Sequence, residues 1–104
     1  MIEIENIGSI KELEENLQIF VGQILEHPYS SSSEFILGVL LSFGRKQEIA
    51  LSQFTCLDDK NKERLLKVII TLSMCSQGRQ DLSYWIDYEQ IVALDKLSKE
   101  LKER

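Results

Sequence analysis

The chain has 104 residues, of which 43% are hydrophobic and 28% are charged, and its formal net charge is −5. This length and apolar content exclude a disordered chain and predict a single domain over residues 1–104 with one hydrophobic core. The negative charge argues against a general nucleic-acid binder, because affinity for phosphates depends on clustered Lys and Arg side chains.

The negative charge belongs to the first third of the chain. Residues 1–34 contain seven acidic residues and one basic residue, a formal charge of −6. Residues 35–104 contain ten acidic and eleven basic residues, a formal charge of +1. We therefore expect electrostatic attraction for a partner to act mainly through the N-terminal segment.

The first predicted helix covers residues 10–26. A capping box formed by Ser9 and Glu12 precedes it, and Pro28 forces it to end. Apolar residues recur through the segment at helical spacing, which predicts one buried stripe. The residues of this stripe are Ile10, Leu13, Leu17, Phe20, Val21 and Ile24.

The second predicted helix covers residues 35–43 and is apolar on all sides. A second capping box, Ser31 with Glu34, precedes it. A segment without a polar face is expected to lie buried at the centre of the domain. A strand of the same length is the alternative, but the only other strand-like segment is the short alternation at residues 2–5.

Three further helices complete the predicted fold. A short helix is expected within residues 46–54, and Asp58 is a good N-cap for a longer helix over residues 59–77. The last helix is expected over residues 83–102. With no repeat and no linker, the pattern predicts an all-α fold: a compact bundle of about five helices.

The sequence offers little for catalysis or for metal binding. His27 is the only histidine, and we interpret it as a cap of the first helix rather than a general base. Cys56 and Cys75 lack the close paired spacing of a zinc site and are expected to be free, buried thiols. Nucleotide-binding and zinc-protease motifs are absent. We therefore predict no enzyme activity, no cofactor and no metal.

A cytoplasmic location is expected from the start of the sequence. Residues 1–5 are acidic, whereas a secretory signal begins with basic residues. The longest apolar stretch, residues 35–41, is far shorter than the roughly 20 residues of a membrane span. No membrane association is predicted.

One candidate binding surface lies on the first helix, opposite its apolar stripe. Ile19 falls on this outer side, and its neighbours at helical spacing are Glu12, Glu15, Gln23 and Glu26. An apolar residue within a charged rim is typical of a small protein interface, in which the rim attracts a basic partner. The alternatives are an ordinary exposed Ile19 and one covered by the N-terminal tail.

A second candidate surface lies at the start of the last helix. If that helix begins by residue 83, Trp85, Tyr88 and Val92 lie together on the side opposite its core stripe. Acidic residues surround them: Asp81, Asp87 and Glu89. Exposed aromatic residues dominate binding hot spots, so this arrangement predicts contact with a Lys- or Arg-rich protein. If the helix begins later, Trp85 belongs to the core instead.

A small, acidic, cysteine-poor, all-helical cytosolic chain without catalytic groups resembles the immunity proteins that bacteria produce with antibacterial toxins, including those of contact-dependent growth inhibition. The resemblance concerns the whole chain and implies a stoichiometric inhibitor. Such an inhibitor covers the active site of a basic toxin domain, often a nuclease, by placing carboxylates where substrate phosphates would lie. The partner expected is therefore a basic protein.

The alternative function is a small helical phage or plasmid regulatory protein that acts as a homodimer on nucleic acid or its machinery. The apolar surfaces of the second and fourth predicted helices leave self-association open. Basic residues at the start of the fourth helix, Lys60, Lys62, Arg64 and Lys67, could contact DNA. Acidic residues between them cancel much of their charge, which favours the interpretation as a solvated helix face.

Overall fold

The computed structural model of the protein describes residues 10–43, 51–75 and 79–103. These residues form four α-helices: α1 (Ile10–Glu26), α2 (Ser31–Ser42), α3 (Asp59–Ser73) and α4 (Tyr88–Lys102). Two short 3-10 helices also occur, Leu51–Cys56 and Leu82–Tyr84. The all-α prediction is confirmed for this part of the chain. The predicted number of five helices is wrong, because the described end of the third predicted helix is a 3-10 helix.

Helix α1 has the predicted bounds, and its stripe is buried at five of the six predicted positions. The buried side chains are Leu13, Leu17, Phe20, Val21 and Ile24. Ile10 was expected in the same stripe but is exposed, because it lies at the helix terminus, beyond the shared core. Its predicted cap, Ser9, lies outside the described residues.

Helix α2 is a buried helix, as predicted, but it begins at Ser31 rather than at residue 35. The N-cap is Ser30, whose Oγ accepts a hydrogen bond from the Ser33 amide at 3.1 Å. Ser31, which we expected to be the cap, is the first helical residue. The helix buries six apolar side chains, consistent with its nearly apolar sequence: Phe35, Ile36, Leu37, Val39, Leu40 and Leu41.

The third predicted helix, over residues 46–54, is only partly within the described chain. Residues 46–50 lie outside it, and the remainder belongs to the 3-10 helix Leu51–Cys56. Phe54 from this turn packs edge-on against Phe35 of α2, with ring centroids 6.2 Å apart. The turn therefore covers one side of α2.

Helix α3 begins as predicted, with Asp58 as N-cap and its Oδ1 accepting from the Asn61 amide at 2.7 Å. It ends at Ser73, earlier than the predicted residue 77. Side chains donate hydrogen bonds to carbonyl groups of its last turn. Ser73 Oγ donates to the Ile70 carbonyl at 2.8 Å, and Cys75 Sγ donates to the Thr71 carbonyl at 3.3 Å. These local bonds satisfy carbonyl groups that a continuing helix would have bonded itself.

Helix α4 begins at Tyr88, so the predicted start at residue 83 is wrong. Asp87 is the N-cap, and Gln90 Oε1 accepts from the Asp87 amide at 3.2 Å. Before it, Asp81 caps the 3-10 helix by accepting from the Ser83 amide at 2.9 Å. Aspartate side chains accept hydrogen bonds from the backbone amides at helix starts and are less favourable inside helices. Asp81 and Asp87 therefore divide this segment into two elements.

Helix α1 contacts each of the other three α-helices. Pairs of side chains show the helix directions. Glu12 lies opposite Lys67 and Phe20 opposite Arg64, so α3 runs antiparallel to α1. Gln18 lies opposite Gln90, and Tyr29, just beyond α1, reaches Glu100, so α4 runs parallel to α1. Buried side chains of all four helices, together with Leu57, Leu82 and Ile86, form a single core.

The serines at the start of α2 provide a test of the cap assignment. Ser30→Ala removes the cap and should lower the free energy of unfolding by about 1 kcal/mol. Ser33→Ala should not lower it, and should raise it by up to about 1 kcal/mol, since the buried Ser33 Oγ has no hydrogen-bond partner in the described structure. Urea unfolding measures both. Ser31→Ala at an exposed position is the control, and a larger loss for Ser33→Ala than for Ser30→Ala would contradict the assignment.

Candidate functional site

Three apolar or aromatic side chains are exposed at and just before the start of α4: Tyr84, Tyr88 and Val92, here called the tyrosine surface. Tyr88 is 81% exposed, the largest exposed fraction among the described large hydrophobic residues, and the other two are about half exposed. Tyr88 and Val92 lie on the side of α4 opposite the buried Leu94 and Leu97, as the sequence predicted. They are available to a partner without rearrangement of the core.

Trp85 is not on α4 and is not part of the exposed surface. Its side chain is half-buried against the core, and its Nε1 donates to the Arg79 carbonyl at 2.6 Å. The Tyr84 ring packs edge-on against it, with centroids 4.9 Å apart, and the Arg79 guanidinium lies 5.6 Å from the Tyr84 ring centre. The prediction that Trp85 shares an outer helix face with Tyr88 is wrong, because α4 begins three residues after Trp85. The tryptophan instead holds Tyr84 in place.

The acidic residues near the tyrosine surface have different surroundings. Asp87 and Glu89 are exposed in the first turn of α4, as expected. Asp81 is half-buried and caps the 3-10 helix. Asp87 and Glu89 therefore remain the carboxylates that a partner of the tyrosine surface would meet.

The outer side of α1 presents the second candidate surface. Ile19 is 46% exposed, and Glu15 and Glu26 beside it are exposed. His27 follows the helix, and its Nε2 lies 3.9 Å from a Glu26 carboxylate oxygen. We refer to the exposed residues Glu15, Ile19, Gly22, Leu25 and Glu26 as the α1 face. Gly22 and Leu25 were not predicted, because the expected rim comprised only positions four and seven residues from Ile19.

Glu12 does not belong to the α1 face, in contrast to the prediction. Its Oε1 lies 3.2 Å from Lys67 Nζ of α3, and the two side chains form a half-buried ion pair. Glu12 lies two turns before Ile19, within reach of Lys67 on α3, whereas Ile19 remains exposed. Gln23 is half-buried as well, so Glu15 and Glu26 are the predicted rim residues that remain exposed around Ile19.

A polar cleft of about 240 Å³ lies between the start of α1 and the first half of α3. Its lining residues are Glu12, Asn16, Lys60, Glu63, Arg64 and Lys67. The hydrogen bond and the charge of Glu12 raise the pKa of Lys67, and Glu63 adds to this effect at 3.7 Å. Three basic groups in this cleft thus face two carboxylates, which reduces the attraction of the start of α3 for phosphates.

The tyrosine surface and the α1 face are separate. Gln18 of α1 and Gln90 of α4 join their helices through two amide hydrogen bonds of 3.1 and 2.9 Å. By helical rotation, Ile19 lies nearer to the direction of Glu12, which faces α3, than to that of Gln18. By the same rotation, Tyr88 lies on the side of α4 opposite Gln90. The two predicted anchors therefore do not meet in one patch.

Two residues that shape the tyrosine surface, Tyr84 and Arg79, were not predicted from the sequence. Tyr84 was not predicted, because only Trp85, Tyr88 and Val92 were assigned to the outer side of a helix beginning at residue 83. Arg79 supplies both a carbonyl and a guanidinium to the aromatic pair Tyr84 and Trp85. The detectable signal was the sequence Asp87 to Gln90, a capping box that places the start of α4 after Trp85.

Both cysteines are free thiols, as predicted. Cys56 is exposed and Cys75 half-buried, so the expectation that both are buried is wrong. Among residues 10–43, 51–75 and 79–103, no group of three or more His, Cys, Asp or Glu side chains is placed to hold a metal ion. In the same part of the chain, no helix combines the length and the hydropathy needed to cross a membrane.

The different roles of Trp85 and Tyr88 can be measured. Trp85→Ala should lower the free energy of unfolding by about 2 kcal/mol, because it removes core contacts and the bond to the Arg79 carbonyl. Tyr88→Ala should change it by less than about 0.5 kcal/mol, because the side chain is exposed. Urea unfolding of both variants gives the comparison. Equal losses would show that Tyr88 is packed rather than exposed.

Glu12 and Glu63 both raise the pKa of Lys67, and Glu12 contributes more. Because this pKa is raised above the usual 10.5, the ion pair stabilises the fold fully at neutral pH, and this contribution is lost as pH rises through the raised pKa. Glu12→Gln should lower the pKa of Lys67 more than Glu63→Gln does, since Glu12 is its main partner. NMR titration of the lysine side chain measures this, and the reverse order would contradict the pairing.

Comparison with known proteins found no similarity that bears on this site: no protein-family model, curated protein or solved structure matches the chain.

Proposed function

We propose that this protein is an immunity protein, an inhibitor that binds and blocks a basic bacterial toxin domain, a nuclease, by direct protein contact. The observation that supports this most is the exposure of Tyr84, Tyr88 and Val92 next to the carboxylates of Asp87 and Glu89. The proposal involves no catalytic step and no cofactor.

The tyrosine surface has the physical properties of a binding hot spot. Tyrosine contributes a large contact area with few rotatable bonds, so little conformational entropy is lost on binding. Trp85 is fixed by its bond to the Arg79 carbonyl and packs against the Tyr84 ring, which restricts Tyr84 before a partner arrives. Restricting a contact residue in advance lowers the entropic cost of association.

The charges fit a basic partner. A nuclease must attract phosphates, so its active site carries Lys and Arg side chains. Asp87 and Glu89 flank the tyrosine surface, and Glu15 and Glu26 are exposed on α1. Complementary charges accelerate association and disfavour like-charged competitors, whereas buried aromatic contacts slow dissociation.

The test uses the product of the reading frame adjacent to the gene of this protein, expressed with it and alone. We expect that product to inhibit growth alone, to be neutralised by this protein, and to form a complex with it. Tyr88→Ala should weaken the complex by about tenfold or more, corresponding to about 1.4 kcal/mol. Isothermal titration calorimetry measures the affinity.

The matched control is Tyr29→Ala, which removes an exposed tyrosine beside Glu100, toward the opposite end of α4. Its affinity should equal that of the unsubstituted protein. A harmless neighbouring product, the absence of a complex, or equal effects of the two tyrosine variants would overturn the proposal.

The alternative, a homodimeric regulator acting on nucleic acid, differs from the proposal in the affinity for DNA that it predicts. Such a protein should bind a short DNA duplex with an affinity that falls steeply as salt increases. The mixed charges of the cleft between α1 and α3 argue against this behaviour. Salt-dependent DNA binding by the purified protein would favour the alternative over the proposal.

A further inference from the structure

Gly22 lies in the interior of α1, on its solvent side, at a position where glycine has no role within the described fold. A Cβ atom added there would meet nothing within 4 Å. Its φ is not in the left-handed region, so the backbone does not demand glycine either. Glycine in a helix interior is less stable than alanine, because its unfolded backbone has more freedom to lose. The residue is thus unfavourable for the isolated chain.

Gly22 stands between two exposed apolar side chains on the surface of α1. Ile19 and Leu25 lie three residues before and after it, so both are its neighbours on the helix surface. They are 46% and 43% exposed. A missing side chain between two exposed branched residues leaves room for the backbone of another molecule to approach the helix closely.

The charges on this side of α1 indicate which kind of molecule fits. Glu15 and Glu26 lie toward either end of the α1 face, and Glu14 is exposed on the same helix. Lys11 in the first turn and His27 after the last turn are also exposed. Carboxylates predominate, so a second copy of the chain would place like charges together, whereas a basic segment would be attracted.

We infer that the α1 face is a second docking surface, which receives a basic amphipathic helix of a protein partner with its backbone closest to Gly22. Ile19 and Leu25 contact small apolar residues at the middle of that helix, and its Lys or Arg side chains meet Glu15 and Glu26. The axes of packed helices are about 8–10 Å apart, and helices that cross at a glycine lie at the lower end of this range. The inference relies on the proposed function for the charge of the partner, but it concerns a different surface from Tyr88.

The probe is a synthetic helical peptide with alanine at the centre of its apolar side, leucine around it and lysine at the rim. Titrated into the isotopically labelled protein, it should shift the NMR signals of Ile19, Gly22 and Leu25. Gly22→Ala should melt at a higher temperature than the natural protein and yet bind the peptide about tenfold more weakly or worse. Because this variant is expected to be more stable, misfolding cannot explain a loss of binding.

Two further variants complete the design. Glu15→Lys with Glu26→Lys should slow association at low salt, because the attraction for lysine is reversed. Tyr88→Ala should bind the peptide normally. Unchanged binding by Gly22→Ala, the absence of any α1 signal shift, or a dimer of the protein alone that buries Gly22 would overturn the inference. A peptide that shifts Tyr88 instead of Gly22 would overturn it while leaving the proposed function standing.

Discussion

The apolar stripe of α1 must be buried against three other helices, and the remaining structure depends on this constraint. Its five buried side chains are each at most 2% exposed. Burial of each side chain of this size contributes about 1.5–3 kcal/mol relative to exposure in water. A single stripe that contacts α2, α3 and α4 leaves the opposite side of α1 open to solvent, and this is where the α1 face lies.

Polar pairs at the edges of the stripe set how the neighbouring helices lie on α1. Glu12 with Lys67 aligns α3, and the amide pair of Gln18 with Gln90 aligns the start of α4. Such bonds contribute modestly to stability because water competes for the same groups, but they discriminate between registers that bury similar apolar area. These bonds also occupy polar side chains that would otherwise be available to a partner, as the ion pair of Glu12 shows.

The two proposed contact surfaces arise from different physical causes. The tyrosine surface exists because Asp87 starts α4 after Trp85, which leaves Tyr88 in the exposed first turn while Trp85 packs inward. The α1 face exists because the buried stripe leaves this side of α1 uncovered, and Gly22 leaves open space there between two exposed apolar residues. One surface offers exposed aromatic groups, and the other a glycine between exposed apolar side chains. A partner that used both would have to extend across the amide pair between α1 and α4.

Helical periodicity by itself determined that the described part of the chain is all-α, where α1 lies, and that Ile19, Tyr88 and Val92 point outward. These are properties of consecutive residues, since each helix places its apolar residues on one side. The tertiary structure decided that Glu12 is bound to Lys67, that Trp85 supports Tyr84 from within, and that the two predicted anchors do not join. Each of these depends on which helix lies beside which, and at what rotation. Distant contacts of this kind are set by the packing of the whole core, and no local pattern of residues specifies them.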